Sequence, residues 1–324
     1  MTDRALLVAT RALLIATCVA LHPMAYTGRP YGQLVALASD SADTVALVTV
    51  QTDGMAYIHW NKTFPDDFLT SVCQFGFDIE NSIIYLPSMY EVLGLDAGSG
   101  RALVSYYTHH LVYFYSFNYD YVNKSVKGIC SGNSSFNWCS MQVRGEAVGR
   151  NAYEFMLPDI EEPEMCNYDV DFGNNTMWYR VDSRVLGVDL RTGERVFQGV
   201  APARCIAHDR KTGKVFGVVS NGTRRMSVIE IGARGNNTNV TNLPDGYHLE
   251  SPGLCEVHAE SRSMFLIMMK NVSVVSDDVY LWALFKLNLT SLHIDITPVE
   301  RLMAPDGSDK QLKLTHFVFF DEHV

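Results

Sequence analysis

Cys73, Cys166, Cys205 and Cys255 each open a short apolar run, and three places after them stand Gly76, Asp169, His208 and His258. Imidazole nitrogens and carboxylates are preferred ligands of zinc and related divalent cations. If the four runs are equivalent strands around one axis, Asp169, His208 and His258 converge on a small metal or anion site. The structural alternative is that they are channel-side or inter-sheet polar groups held by hydrogen bonds. A second series of acids falls at the fifth place of such runs: Asp78, Asp120, Asp171, Glu260 and Asp321. Two neighbouring carboxyls could support glycosidase-like chemistry. A catalytic pair is normally unique, however, so an acid that returns in almost every unit is expected to cap a turn.

Other chemistry is sparse. The chain has no Gly-rich phosphate loop, nucleophile-elbow pentapeptide, zincin helix or Cys-x-x-Cys pair, and no cofactor is expected. His109-His110 lies beside an aromatic strip, Tyr106-Tyr107 and Tyr113-Phe114-Tyr115, continuing to Phe117 and Tyr119. Such a strip suits either a recognition face or a packed sheet core. The acidic stretch Asp159-Ile-Glu-Glu-Pro-Glu164 reads as a solvated loop with at most weak affinity for Ca²⁺.

The elements that must position these residues are legible as a repeat. Val92-Leu-Gly-Leu-Asp96-Ala-Gly-Ser-Gly100 returns as Val185-Leu-Gly-Val-Asp189-Leu-Arg-Thr-Gly193, 93 residues later. Cys73-Gln-Phe-Gly-Phe-Asp78 returns as Cys166-Asn-Tyr-Asp-Val-Asp171 at the same offset. Ninety-three is about twice a 40–50 residue repeat, and Tyr115–Asp120 supplies the unit between. Further members begin at Val35, Cys205, Cys255 and His316. Within a unit, a short apolar strand ends at an acid, a turn follows, and a second apolar run begins. A third strand leads into an Asp-x-x-Ser/Thr-Gly turn, where Asp accepts backbone N–H groups and Gly takes positive φ. A fourth strand follows, and no run has helical period.

Four strands per unit at this period resemble the blades of the β-propeller superfamily, particularly quinoprotein-like and NHL-like blades, whose third strand often ends in a similar Asp-x-x-Thr-Gly turn. The resemblance covers about residues 33–324 and is generic: the Trp docking pattern of quinoproteins and a Trp-Asp blade ending are both missing. It implies an all-β fold of four-stranded antiparallel blades, and it implies no activity. Seven inner-strand starts would allow seven blades. Only eight residues follow His316, too few for three more strands, so six blades are expected. The last strand would then pair with N-terminal strands at Val35–Asp40, Thr44–Thr49 and Ala56–Trp60 and close the ring, which removes open sheet edges.

Composition sets the class. Of 324 residues, 47% are hydrophobic and 19% charged, enough for a large core. A net charge of −10 with scattered Lys and Arg argues against nucleic-acid binding. Residues 1–25 read as a signal peptide: Arg4 and Arg11 precede the apolar run Ala12–Leu21, and Cys18 and Ala20 suit cleavage after Ala20. A signal-anchor is the competing reading. No later segment is long and apolar enough to span a membrane. Nine Asn-X-Ser/Thr sequons, at Asn61, Asn123, Asn133, Asn174, Asn221, Asn236, Asn239, Asn271 and Asn288, mark expected N-linked glycans. Without Cys18, six cysteines remain: Cys73, Cys130, Cys139, Cys166, Cys205 and Cys255. That even number suits disulfides, with Cys130–Cys139 the preferred pair and the other connectivities open.

The resulting expectation is a secreted or cell-surface glycoprotein whose propeller, residues 33–324, is an interaction or structural module with other extracellular proteins or glycoproteins as partners. The rival is a secreted propeller hydrolase or lactonase that holds a metal in its channel.

Overall fold

The computed structural model describes residues 33–39, 44–64, 74–87, 91–107, 113–132, 135–143, 151–157, 166–220, 225–251, 254–270, 281–299, 302 and 313–319. The leader expected at residues 1–25, Cys73, His109-His110, the acidic stretch at 159–164, and Asn133, Asn221 and Asn271 lie outside them. All regular structure in the described residues is β-strand.

Among the described residues, twenty-six strands form six antiparallel sheets. The first contains β1 (Gln33–Ser39), β2 (Thr44–Gln51) and β3 (Ala56–Thr63), with the last described strand, β26 (Lys313–Phe319), hydrogen-bonded to β1 on the inside. The second is β4 (Gly76–Asp78), β5 (Ile83–Pro87), β6 (Glu91–Asp96) and β7 (Ala102–Tyr107). In the third, β8 (Tyr113–Phe114) and β9 (Asn118–Asp120) share one edge of β10 (Ser125–Gly132), followed by β11 (Ser135–Gln142) and β12 (Asn151–Met156). The fourth runs β13 (Tyr168–Asp171), β14 (Thr176–Val181), β15 (Arg184–Asp189), β16 (Arg195–Val200). The fifth runs β17 (Ala203–Asp209), β18 (Lys214–Ser220), β19 (Met226–Glu230), β20 (Thr238–Asn242). In the sixth, β21 (Tyr247–His248) and β22 (Cys255–His258) share one edge of β23 (Ser263–Lys270), followed by β24 (Leu281–Asn288) and β25 (Ile294–Pro298). The second to sixth sheets are meanders that start at the inner strand, whereas in the first the inner strand β26 comes from the other end of the described chain. This is a six-bladed β-propeller.

The apolar residues form layers between neighbouring sheets. Leu37 and Trp60 of the first sheet pack with Ile84 and Leu95 of the second. Tyr85 of the second meets Phe114 and Phe117 of the third, and Trp138 of the third meets Tyr168 and Tyr179 of the fourth. Trp178 and Val185 of the fourth meet Ala203 and Ile206 of the fifth. The fifth, sixth and first share one layer, including Val218, Phe285 and Val48. Because both faces of a blade are covered, its middle strands carry continuous apolar runs rather than alternation: in β23, Ser263 through Met268 are all buried.

A capped turn and the aromatic ring above it join neighbouring blades. At the end of β6, Ser99 N–H donates to Asp96 Oδ1, Gly100 N–H to the Asp96 carbonyl, and Gly100 sits at φ +66°. Asp189 and Gly193 repeat this at the end of β15, with φ +72°. Over each turn glycine lies an aromatic ring from the outer strand of the preceding blade: Trp60 over Gly100, Phe155 over Gly193. Trp60 Nε1–H also donates to the Ala97 carbonyl, at 3.0 Å.

Candidate functional site

The inner strands carry a recurrent series of buried acids, and its first use is local. Asp78, Asp120, Asp171 and Asp209 end β4, β9, β13 and β17, and each is at most 2% exposed. Asn81 N–H and Nδ2 donate to Asp78, at 3.2 and 2.8 Å. Asn123 N–H and Nδ2 donate to Asp120, at 3.0 and 2.8 Å, and Asn174 N–H and Nδ2 to Asp171, at 3.1 and 2.8 Å. In the fifth sheet Lys211 N–H and Thr212 Oγ1 do the same for Asp209, at 3.0 and 2.6 Å. The next residue in each turn, Ser82, Lys124, Asn175 or Gly213, has positive φ. These are turn-capping carboxylates, the structural role expected of the series. In the sixth sheet the capping position is held by His258, whose Nδ1 faces Ser261 Oγ at 2.8 Å and Ser261 N at 3.3 Å. Glu260 lies exposed inside that turn, and Asp321 is outside the described residues.

The strand ends therefore give a different register from the cysteines. Counted back two places from the cap, the equivalents of Asp169 are Gly76, Asn118, Ala207 and Glu256, and His208 aligns with Tyr119, Val170 and Val257. The cysteines mislead because Cys166 precedes β13, whereas Cys255 opens β22 and Cys205 lies within β17, beyond a register shift between Ala203 and Cys205.

Asp169, His208 and His258 consequently have separate jobs. Asp169 Oδ2 accepts the backbone N–H of His208 at 2.7 Å, tying β13 to β17 across two blades, and its Oδ1 accepts Val170 N–H at 2.7 Å. The His208 ring is 4% exposed and stacks on Trp178 of the preceding blade, centroids 3.7 Å apart at 21°. Its Nδ1 lies 3.7 Å from Asp171 Oδ2, without a hydrogen-bond partner among the described residues. Burial holds the His208 pKa below its ordinary value, and this outweighs the opposing pull of Asp169 and Asp171. Among the described residues no three His, Cys, Asp or Glu side chains converge as a metal-binding group.

What the inner strands do enclose is a lumen. Gln74 Nε2 donates to the Tyr168 carbonyl at 2.8 Å, and Asn118 Nδ2 donates to Gln74 Oε1 and to the Tyr168 hydroxyl, at 3.2 and 2.9 Å. These bonds tie the second, third and fourth blades together. Beside them is a cavity of about 190 Å³, lined by Asp169, Tyr121, Phe172, Arg210, Glu256 and His258 among others. Arg210 follows the capping Asp209 and remains reachable by water from the lumen although protein surrounds it. Burial disfavours its charge, but Asp169, Glu256 and Asp171 more than offset this and raise its pKa. The Tyr119 phenol is pushed well above its usual pKa, first by burial and then by its hydrogen bond to Asp78. The lumen is thus a polar surface in which Asp169 already accepts two backbone N–H groups and the charge of Arg210 is favoured by the carboxylates around it. Gln74, Asn118, Arg210 and Glu256 were not legible beforehand, since their partners lie in other blades. The only available signal was their place relative to the capping residues.

The aromatic strip is packed where it is described. Tyr106, Phe114 and Phe117 are buried between the second and third blades, and Tyr115 sets its ring edge-on to Phe136 at 5.7 Å.

Cys130 and Cys139 form a disulfide across β10 and β11, as expected, and Cys205 and Cys255 form another that joins the fifth blade to the sixth. Cys166 is disulfide-bonded as well. Of the described sequon asparagines, Asn61, Asn123, Asn174, Asn236 and Asn239 are exposed and Asn288 is half-buried.

No protein-family profile matches this chain, and no curated protein matches it in sequence. Among solved structures, one described as "KlHsv2 with loop 6CD replaced by a Gly-Ser linker" is similar over 88% of this chain and 99% of its own, at 10% identity and a TM-score of 0.42. A functionally unknown protein from Desulfotomaculum acetoxidans DSM 771 is similar over 85% of this chain and 82% of its own, at 11% identity and a TM-score of 0.49. At these values the fold rests on the chain's own sheet order.

Proposed function

We propose that this chain is a secreted, N-glycosylated β-propeller that serves as a protein-interaction or structural module in an extracellular or cell-surface assembly, and that it is not itself an enzyme. The observation that carries the reading is the Cys205–Cys255 disulfide, with its two partners 50 residues apart in sequence and on different blades. Bonds of this kind persist in oxidising compartments. Three features support it. The leader-like residues 1–25 would deliver the chain there. The described sequon asparagines are all reachable by solvent. Exposed apolar side chains on outer strands, Leu103 of β7, Met156 of β12 and Val196 and Val200 of β16, offer contact surface on three consecutive blades. The polar residues that first suggest chemistry, Asp169, His208 and His258, are engaged in stitching strands and capping a turn.

Expression of the full chain in eukaryotic cells tests the proposal. Glycosylated protein in the medium or on the cell surface, recovered in stoichiometric complex with another glycoprotein, is the expected result. Retention in the cytosol with free thiols contradicts it. So does a bound metal that is lost from a His208→Ala/His258→Ala double variant, which favours the hydrolase reading instead.

A further inference from the structure

Two of the sequons coincide with the turn motif. Asn123 and Asn174 each stand three residues after a capping aspartate and use the side-chain nitrogen to hold its carboxylate, at 2.8 Å in both cases. Asn81 makes the same pair of bonds to Asp78 with the same 2.8 Å nitrogen contact. Yet Asn81-Ser82-Ile83 is not a sequon, because Ile83 stands where Ser or Thr is needed. The turn therefore accounts for asparagine at this position without any sugar. Thr212 fills the place in the fifth blade, donating from its hydroxyl, and Ser261 fills it in the sixth.

We infer that Asn123 and Asn174 are turn locks rather than glycan acceptors, and that glycans on the described part of the chain fall on Asn61, Asn236, Asn239 and Asn288. The inference rests on the secretory reading above. N-glycan transfer forms a bond from Asn Nδ2 to the anomeric carbon and breaks that carbon's bond to a polyisoprenyl diphosphate. The diphosphate leaves, and one amide proton passes to a base. The nitrogen must be presented to the donor, and in both locks it is turned inward onto a carboxylate at most 2% exposed. Swinging it out strands that carboxylate. The sequon hydroxyls are withdrawn too: Ser125 is fully buried, and Thr176 Oγ1 donates to the Asn174 carbonyl at 3.2 Å. The turn spans four residues and belongs to a hairpin, an element that forms in microseconds, far faster than residues are added during synthesis.

Asn288 is the instructive contrast. It occupies the capping position of its turn, where the oxygen does the work: Oδ1 accepts Thr290 N–H at 2.9 Å and Ser291 N–H at 2.8 Å. Its nitrogen has no hydrogen-bond partner among the described residues, so the same turn chemistry leaves it open to sugar. Thr63, Thr238 and Thr290, the hydroxyl residues of the Asn61, Asn236 and Asn288 sequons, are exposed.

The test is site-resolved mass spectrometry of the full chain from secreting cells. The glycan-releasing amidase is applied in heavy-oxygen water, so that each occupied Asn becomes a labelled Asp. High occupancy is expected at Asn61, Asn236, Asn239 and Asn288, with Asn123 and Asn174 below about a tenth of that level. Occupancy at Asn123 or Asn174 equal to that at Asn61 overturns the inference. Melting temperatures provide a readout independent of glycosylation. Asn81→Gln, Asn123→Gln and Asn174→Gln should each lower Tm by roughly 2–5 °C. Ser125→Ala and Thr176→Val, which abolish the sequon and keep the lock, should not. If all six sites are bare, the secretory reading fails, and the Tm series still decides the lock. Equal Tm changes in the two kinds of variant would sink it.

Discussion

His208 shows how a residue with catalytic potential is spent on structure. Its ring is sandwiched between blades, burial depresses its pKa, and His59, hydrogen-bonded to Thr49 Oγ1 at 2.5 Å, is depressed for the same reason. A folded state that resists protonating a histidine binds fewer protons than the unfolded chain once pH falls below the ordinary value of 6.5. Stability from this source is therefore fully present above pH 6.5 and drains away as pH falls toward the depressed folded value. Thermal melts between pH 7.5 and 5 should show a falling Tm. In His208→Phe, which keeps a ring on Trp178 but cannot titrate, the fall should be shallower, with His59 supplying the remainder. Unchanged pH dependence in that variant would mean that the ring takes a proton as readily in the folded protein as in the unfolded chain. His208 also marks the limit of reading chemistry from sequence. The residue type was visible. Its direction was not, because Cys205 stands four places before the capping residue of its strand, whereas Cys166 stands five places before and Cys255 three.

At the scale of the element, the hairpin is where sequence spoke most clearly. Asp96 with Gly100 and Asp189 with Gly193 were readable because cap, turn and positive φ all involve neighbours in the chain. Their second function was not readable: each glycine carries the aromatic ring of the preceding blade. A Cβ on Gly100 would stand 2.7 Å from Trp60, and one on Gly193 2.9 Å from Phe155. Gly100→Ala and Gly193→Ala should thus lose stability both to backbone strain and to displaced rings, by about 2–3 kcal/mol in urea melts. A cost below about 0.5 kcal/mol would show that the rings are not held there. The buried caps predict a related effect. Asp120→Ala leaves Val122 N–H, Asn123 N–H and Asn123 Nδ2 without their acceptor and removes a carboxylate 3.4 Å from Lys127 Nζ. About 2–4 kcal/mol should be lost, against little change for the exposed Glu260→Ala.

Across the whole molecule, stability depends on six blades finding their order. The first and last described strands, β1 and β26, share the first sheet, the pairing expected for the strand at His316. The lumen network of Gln74, Asn118 and Tyr168 and the cavity around Arg210 could not be foreseen, since their partners are dozens of residues apart and no local pattern announces them. The same distance makes the Cys205–Cys255 bond effective. By loop entropy its 50-residue span should be worth up to about 4 kcal/mol, and the 9-residue Cys130–Cys139 span up to about 2.6 kcal/mol. The paired Ala variant of the longer bond should therefore melt at lower denaturant than that of the shorter. The reverse order would place the stabilisation elsewhere. The measurement that bears most directly on the whole account is an electron cryo-microscopy map of the native particle carrying this chain, at a resolution that separates strands. It should show six blades, with another protein seated against outer strands, and a lumen in which Arg210 shares the cavity with Asp169 and Glu256. A solitary chain with a metal ion bound in the lumen by Asp169 and His258 would contradict it.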